Sequence, residues 1–310
     1  MTINVPDLAY VRCRAPNLDQ AEAFLTAFGL VRSARTSSAL YMRGTDSDHH
    51  VHITEVGDPA FVGVGLRAAH ADDLATMARA PGAGALESID EPGGGARVRL
   101  TDPNGIQIEV VHGIEPVPPL PVPSRASFNR AAERARQGAR QSVEPGPAHV
   151  KRLGHFVLLV NDFRETAAFY RERFGFLPSD EIYLGEREQV VAAFMRCNRG
   201  TDYVDHHSFL AIGAGQVQLN HVAFEVQDLD DLMVGNAHLA AGGYAHHWGV
   251  GRHVLGSQIY DYWRNPWGQV HEHWTDGDLF NAQSVTGAVA IGGPGAESHW
   301  GPPAPSPFGA

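Results

Sequence analysis

The chain has 310 residues, 43% hydrophobic and 19% charged, enough for two cored globular domains and too apolar for a disordered protein. A net charge of −11 offers no basic surface to phosphates, so nucleic acid is not expected as a partner. A membrane span of ~20 apolar residues is absent, the opening residues lack the pattern of a signal peptide, and two cysteines, Cys13 and Cys197, suit a reducing cytoplasm.

From Leu8, the run LAYVRCRAPNLDQAEAFLTAFGL reads as a strand followed by a helix, and FVGVGLRAAHADDLATMARAPG from Phe61 repeats that layout. Residues 114–123, IEPVPPLPVP, form an extended spacer, because proline fixes φ and donates nothing to a ladder. The next stretch, FNRAAERARQGARQ (128–141), is expected as a short polar helix, and VEPGPAH returns to linker chemistry. Beyond it GHFVLLVN (154–161) is a strand. In DFRETAAFYRERFGF, Phe163, Ala167, Tyr170 and Phe174 share one helical face and Gly175 ends the helix. LNHVAFEVQ (219–227) and DLDDLMVGNAHLAAGG give the layout a fourth time.

Such repetition predicts an α+β fold of four βαβββ modules with cupped mixed sheets. The expected divisions are a first domain over 1–115, a Pro-rich and polar helical linker over 116–147, a second domain over 148–280 and an extended or mobile tail over 281–310.

Three residues of the second half stand at corresponding places in this layout. His155 is near the start of the first strand of the third module, His221 near the start of that of the fourth, and Glu272 in the closing strand, NPWGQVHEHW. Either histidine alone would read as a satisfied strand residue. Two imidazoles with one carboxylate, however, form the facial triad that holds Fe(II) and leaves coordination positions free; Mn(II) is compatible with the same ligands. His271 and His273 alternate with Glu272 and should point to the opposite face of the strand.

The segment GRHVLGSQIYDYWRNPWGQVHEHW (251–274) resembles the type I extradiol dioxygenases of the vicinal oxygen chelate superfamily. That family places a His, then a Tyr nine residues on, then the ligand Glu ten further; here these are His253, Tyr262 and Glu272. DHHSFLA (205–211) is a second match, since the family carries an acid/base His on the strand before the second ligand. His207 fits, with adjacent His206 as the alternative. The likeness spans residues 6 to 277.

What the resemblance implies is Fe(II) held by His155, His221 and Glu272, with His207, Tyr262 and His253 as catalytic residues. A substituted catechol and O₂ would react to a ring-opened semialdehyde or keto acid in a cytoplasmic homo-oligomer. Within the family, the local runs lean toward decorated single-ring catechols rather than biphenyl diols. The other readings are a metal-dependent isomerase or epimerase with a fuller ligand set, and a metal-free protein that binds aromatic compounds.

The first half reads as a worn copy of the second. Matching the two Phe-Gly pairs sets Ala9 or Tyr10 against His155, and matching the two Asp-Asp-Leu runs sets Gly63 against His221. Only Glu109 matches a ligand, Glu272, so no metal is expected there. His49 and His50 are expected at the surface.

Overall fold

The protein is described by a computed structural model that covers residues 3–124, 127–293 and 298–305. In the first half a buried strand, β1 (Leu8–Ala15), runs to Asn17, whose side chain accepts from the Asp19 and Gln20 N–H groups and starts α1 (Leu18–Ala27). There follow β2 (Val31–Arg35), β3 (Ala39–Arg43), β4 (His52–Val56), β5 (Ala60–Arg67), α2 (Ala71–Met77), β6 (Glu87–Ser88), β7 (Ala96–Thr101) and β8 (Gln107–His112). They form one sheet of order β2-β3-β4-β1-β5-β8-β7-β6. Each module's first strand lies parallel to its last, and the two modules join through antiparallel β1 and β5.

The second half repeats this. Its elements are β9 (Val150–Val160), α3 (Phe163–Phe174), β10 (Leu177–Tyr183), β11 (Val190–Arg196), β12 (Val204–Asp205), β13 (Phe209–Gly213), β14 (Gln218–Val226), α4 (Leu229–Ala241), β15 (Ala245–His253), β16 (Ile259–Arg264) and β17 (Val270–Thr275). Three short strands follow: β18 (Leu279–Phe280), β19 (Gly287–Ala290) and β20 (Ser298–Trp300). The large sheet has the order β19-β10-β11-β13-β9-β14-β17-β16-β15-β20, while β12 and β18 pair separately. The α+β fold of βαβββ modules is therefore as the sequence predicts. Helix α3 also matches: Ala167, Tyr170 and Phe174 are buried, and Gly175 caps it at φ 74°.

Three expectations need correction. The polar helix over 128–141 does not form; described residues 127–149 carry neither helix nor strand. Phe128 is exposed, the segment has no apolar stripe to bury, and an isolated helix this short is marginal in water. The tail is not loose throughout: β19 pairs with β10, and β20 with β15, at opposite edges of the sheet. His50 is not at the surface but buried beside the rings of Tyr10 and Tyr41.

The tail also measures how strongly the sheet is curled. A flat ten-stranded sheet would separate its edges by ~43 Å at ~4.8 Å per strand, yet the eight peptide steps from Ala290 to Ser298 reach at most ~29 Å. The sheet must be cupped, with its edges brought toward each other.

The halves interlock through the backs of their sheets. His273 donates from Nε2 to the Phe28 carbonyl at 2.6 Å, and its ring stacks on Phe28 at 3.8 Å. His271 lies edge-on to Phe24 and reaches within 3.4 Å of His52. In the other direction the Ile3 and Val5 N–H groups donate to Arg173 and Phe174 at the end of α3, and Tyr170 donates to Asp102.

Register makes the internal comparison firm. Tyr10 faces Gly65, which faces Glu109, just as His155 faces Ala223, which faces Glu272. Gly63 then corresponds to His221, each standing two residues before the central position. In the first half Glu109 is enclosed by Arg12 at 3.0 Å, Arg99 at 3.0 Å and the Tyr10 hydroxyl at 2.5 Å. A β-carbon at Gly63 would meet the Gln107 carbonyl oxygen at 1.9 Å, so no ligand side chain fits there without moving backbone. Glu109→Gln should therefore lower unfolding free energy by about 3 kcal/mol, because it leaves buried Arg12 short of a partner, and should leave the metal content of the chain unchanged. Denaturant titration with elemental analysis measures both.

Candidate metal centre and active site

Three neighbouring strands, β9, β14 and β17, each send one side chain to a common point inside the cup. His155 and Glu272 stand in line across Ala223, and His221 precedes Ala223 by two residues, which returns it to the same face. His155 Nε2 is 3.0 Å from Glu272 Oε2, His221 Nε2 is 3.2 Å from the same oxygen, and the two nitrogens are 3.3 Å apart. Among the described residues this is the one cluster of three with donor atoms all within 4.8 Å of one another. A β-carbon at Gly154 would strike the Trp274 indole, so glycine is what lets the strand seat His155 against that ring.

The electrostatics of this cluster call for a cation. Glu272 has no solvent exposure, and among the described residues the only basic side chains within 4 Å of it are imidazoles; no Lys or Arg pairs with it. Burial alone would push its carboxyl up, but His155 and His221 outweigh that and hold it below the usual carboxylate range. Burial also lowers His155, which keeps its imidazole neutral and free to ligate. Glu272 Oε1 is buried with no hydrogen-bond partner, an expensive condition unless something positive meets it. On His221, Nδ1 donates to Asn220 Oδ1 at 2.6 Å, leaving Nε2 as a lone pair facing the cluster. Two imidazole nitrogens and a carboxylate suit Fe(II) or Mn(II).

Around the trio the remaining sequence-predicted residues do assemble. Tyr262 faces Glu272 across the β16–β17 ladder, and its hydroxyl lies 2.9 Å from His253 Nε2. Burial and then the Glu272 charge raise Tyr262 well above its ordinary range, so it keeps its proton. Burial chiefly lowers His253 to about 4. The His207 ring centre is 4.1 Å from that of His155, and burial followed by the neighbouring histidines pushes it well down, to a neutral imidazole. His206 is turned away, with Nε2 2.7 Å from Asp180. His271 and His273 point to the opposite face, as alternation predicts.

Sequence reasoning missed several participants. Asn220 could have been suspected from its place beside a ligand. Asp180 carried no signal, being brought in from β10 only by the curl of the sheet. Tyr260, stacked on His253 at 4.0 Å, and Trp248, stacked on Tyr262 at 5.3 Å, wall this side of the site.

Residues 152–271 match the Glyoxalase/Bleomycin resistance protein/Dioxygenase superfamily. The chain is 27% identical to metapyrocatechase 2 of Cupriavidus necator over 98% of its own length and 91% of that protein. In fold it resembles homoprotocatechuate 2,3-dioxygenase from Brevibacterium fuscum, with a TM-score of 0.80 at 18% identity over 99% of this chain and 93% of that one. A Mn(II)-bound glyoxalase from Novosphingobium aromaticivorans gives a TM-score of 0.80 at 22% identity, over 98% and 93%. Superfamily match over 152–271, full-length relative and shared architecture agree with the ordered series of site histidines, Tyr262 and Glu272, and the chain is similar along its length to the type I extradiol dioxygenases of the vicinal oxygen chelate superfamily.

Proposed function

We propose that this chain opens the ring of a substituted catechol beside its diol, placing both atoms of O₂ in a semialdehyde or keto-acid product. One observation carries the reading: a carboxylate without solvent exposure, Glu272, faces two imidazoles and, among the described residues, no Lys or Arg. The residues that would hold Fe(II), or Mn(II) in its place, are His155, His221 and Glu272. Bound there, the metal supplies open coordination positions for the diol and O₂ together, and the one-electron chemistry that overcomes the spin barrier of O₂.

The protein's own groups do the rest. His207, held neutral by burial, takes a proton from a substrate hydroxyl and returns it as the ring opens. Tyr262, protonated and linked to His253 at 2.9 Å, donates toward the diol oxygens and steadies charge that develops on them. Trp248 and Tyr260 keep bulk water from these groups. A metal-free binding protein would leave Glu272 with an uncompensated charge, which disfavours that alternative.

The metapyrocatechase relative supports catechols as the substrate class, and single-ring, substituted catechols are our choice within it. The first-half sheet acts as a buttress without metal, and 116–147 is the linker between two domains. Among the described residues no helix is long and apolar enough to cross a membrane, and both cysteines are buried and free. A cytoplasmic homo-oligomer is the form in which we expect the enzyme to work.

Chain supplied with ferrous iron should turn catechols yellow in air and leave them colourless without oxygen, with one O₂ consumed per ring opened. Absence of colour and of oxygen uptake across a panel of substituted catechols would remove the assignment. His155→Ala should retain almost no metal by elemental analysis. His207→Phe should keep a full complement of metal while kcat falls by about 10²–10⁴-fold; unchanged turnover would take the acid/base role from His207.

A further inference from the structure

Three side chains, one from β10 and two from the loop between β12 and β13, line up behind the site. Asp180 Oδ2 lies 2.7 Å from His206 Nε2, and His206 Nδ1 lies 3.1 Å from His207 Nδ1. Both imidazoles are buried, at 1% and 3% exposure, and only the Asp180 end approaches solvent. The chemistry of the three groups orders their protons. A carboxylate only accepts, so His206 must donate to Asp180 from Nε2. With a single ring proton, His206 then presents a bare Nδ1, and in that arrangement the 3.1 Å contact has His207 donate from its own Nδ1. Neutral His207 is left with a lone pair on Nε2, the nitrogen on the far side of its ring from His206.

We propose that Asp180 and His206 are positioning residues that hold His207 in its Nδ1–H tautomer, so that its Nε2 is always the base offered to substrate. This rests on the functional reading above but makes a separate claim about hydrogen bonding. Left to itself a neutral imidazole exchanges between two tautomers, and one that carries its proton on Nε2 cannot accept the substrate proton there.

Several features of the chain serve this alignment. The His206 N–H donates to the Asp278 carbonyl, which fixes the backbone beside it. Rings of Phe194 and Phe280 flank His206 at 5.4 and 5.3 Å. Gly256, at φ 78°, passes so close that a β-carbon would sit 2.9 Å from His206 Nδ1. From the tail, β19 pairs Gly287 with Asp180, and a β-carbon at Gly287 would fall 1.8 Å from Asp180 Oδ1. The tail strand can therefore cover this carboxylate only because residue 287 is glycine. A second histidine adjacent to the acid/base residue, ambiguous in the sequence, thus becomes the middle link of a relay.

The test reads the tautomer directly. Long-range ¹H–¹⁵N correlation spectra of ¹⁵N-histidine-labelled, zinc-loaded chain assign the protonated nitrogen of His207 without substrate and without turnover. Wild type should show Nδ1–H alone. Asp180→Asn, nearly isosteric and at the solvent end, lets residue 180 donate as well as accept, and should give His207 a mixture of tautomers. His206→Phe should do the same. In the iron-loaded enzyme each variant should lose about 10–100-fold in kcat, with KM for the catechol changed by less than about threefold. Proton density on Nε2 of wild-type His207, a tautomer unmoved in Asp180→Asn, or a moved tautomer with kcat intact would each overturn the proposal. Lack of turnover in wild type would count against the dioxygenase reading and leave the spectra to judge the relay.

Discussion

A buried carboxylate demands a positive partner, and this fold meets the demand twice, in two ways. At equivalent register in the first half, Glu109 is answered by Arg12, Arg97 and Arg99, guanidinium groups that cannot leave or be exchanged. In the second half Glu272 has two imidazoles, an unpartnered oxygen and, among the described residues, no Lys or Arg, an arrangement that suits a cation from outside the chain. The difference between an inert sheet and a reactive one comes down to what stands beside one acidic side chain. Tyr10 and Gly63 replace the two histidines, and Arg12 takes the place a cation would fill.

Strand β17 connects that chemistry to the rest of the molecule. Its inward residue is Glu272, and its outward neighbours His271 and His273 lock into Phe24, Phe28 and His52 of the first half. Because alternate residues of one rigid strand point to opposite faces, the packing between halves holds the carboxylate in place. The first half thus supports the site without contributing a group to it. Helix α3 closes the same interface from the other side through Tyr170 and Asp102.

Curl of the larger sheet adds the outer shell. It brings β10 behind β13 and lets the tail seal both edges, β19 over Asp180 and β20 along β15. Ser298 in β20 meets the Tyr260 hydroxyl at 2.5 Å, and Tyr260 in turn stacks on His253. A segment rich in Gly, Pro, Ala and Ser has few side chains to pack, yet such residues suit close passage over other backbones. That is how they are used here, at Gly287 and at Gly301, whose β-carbon would lie 2.6 Å from Gly251.

By itself the sequence determined the modules, the helices with a clear apolar face such as α3, the pairing of Glu109 with Glu272, and five of the six residues gathered at the site, the sixth being narrowed to His206 or His207. These were legible because strand alternation, helical period and motif spacing are local properties that survive in one dimension. It misjudged the 128–141 segment, where helix-forming residues have no surface to bury against, and His50, whose burial depends on Tyr10 and Tyr41 folding over it. Only the tertiary structure decided that His207 rather than His206 faces the ligands, that Asp180 stands behind them, and that the tail pairs at both edges. Each of those depends on contacts between strands far apart in sequence, made by a curl that no local pattern records.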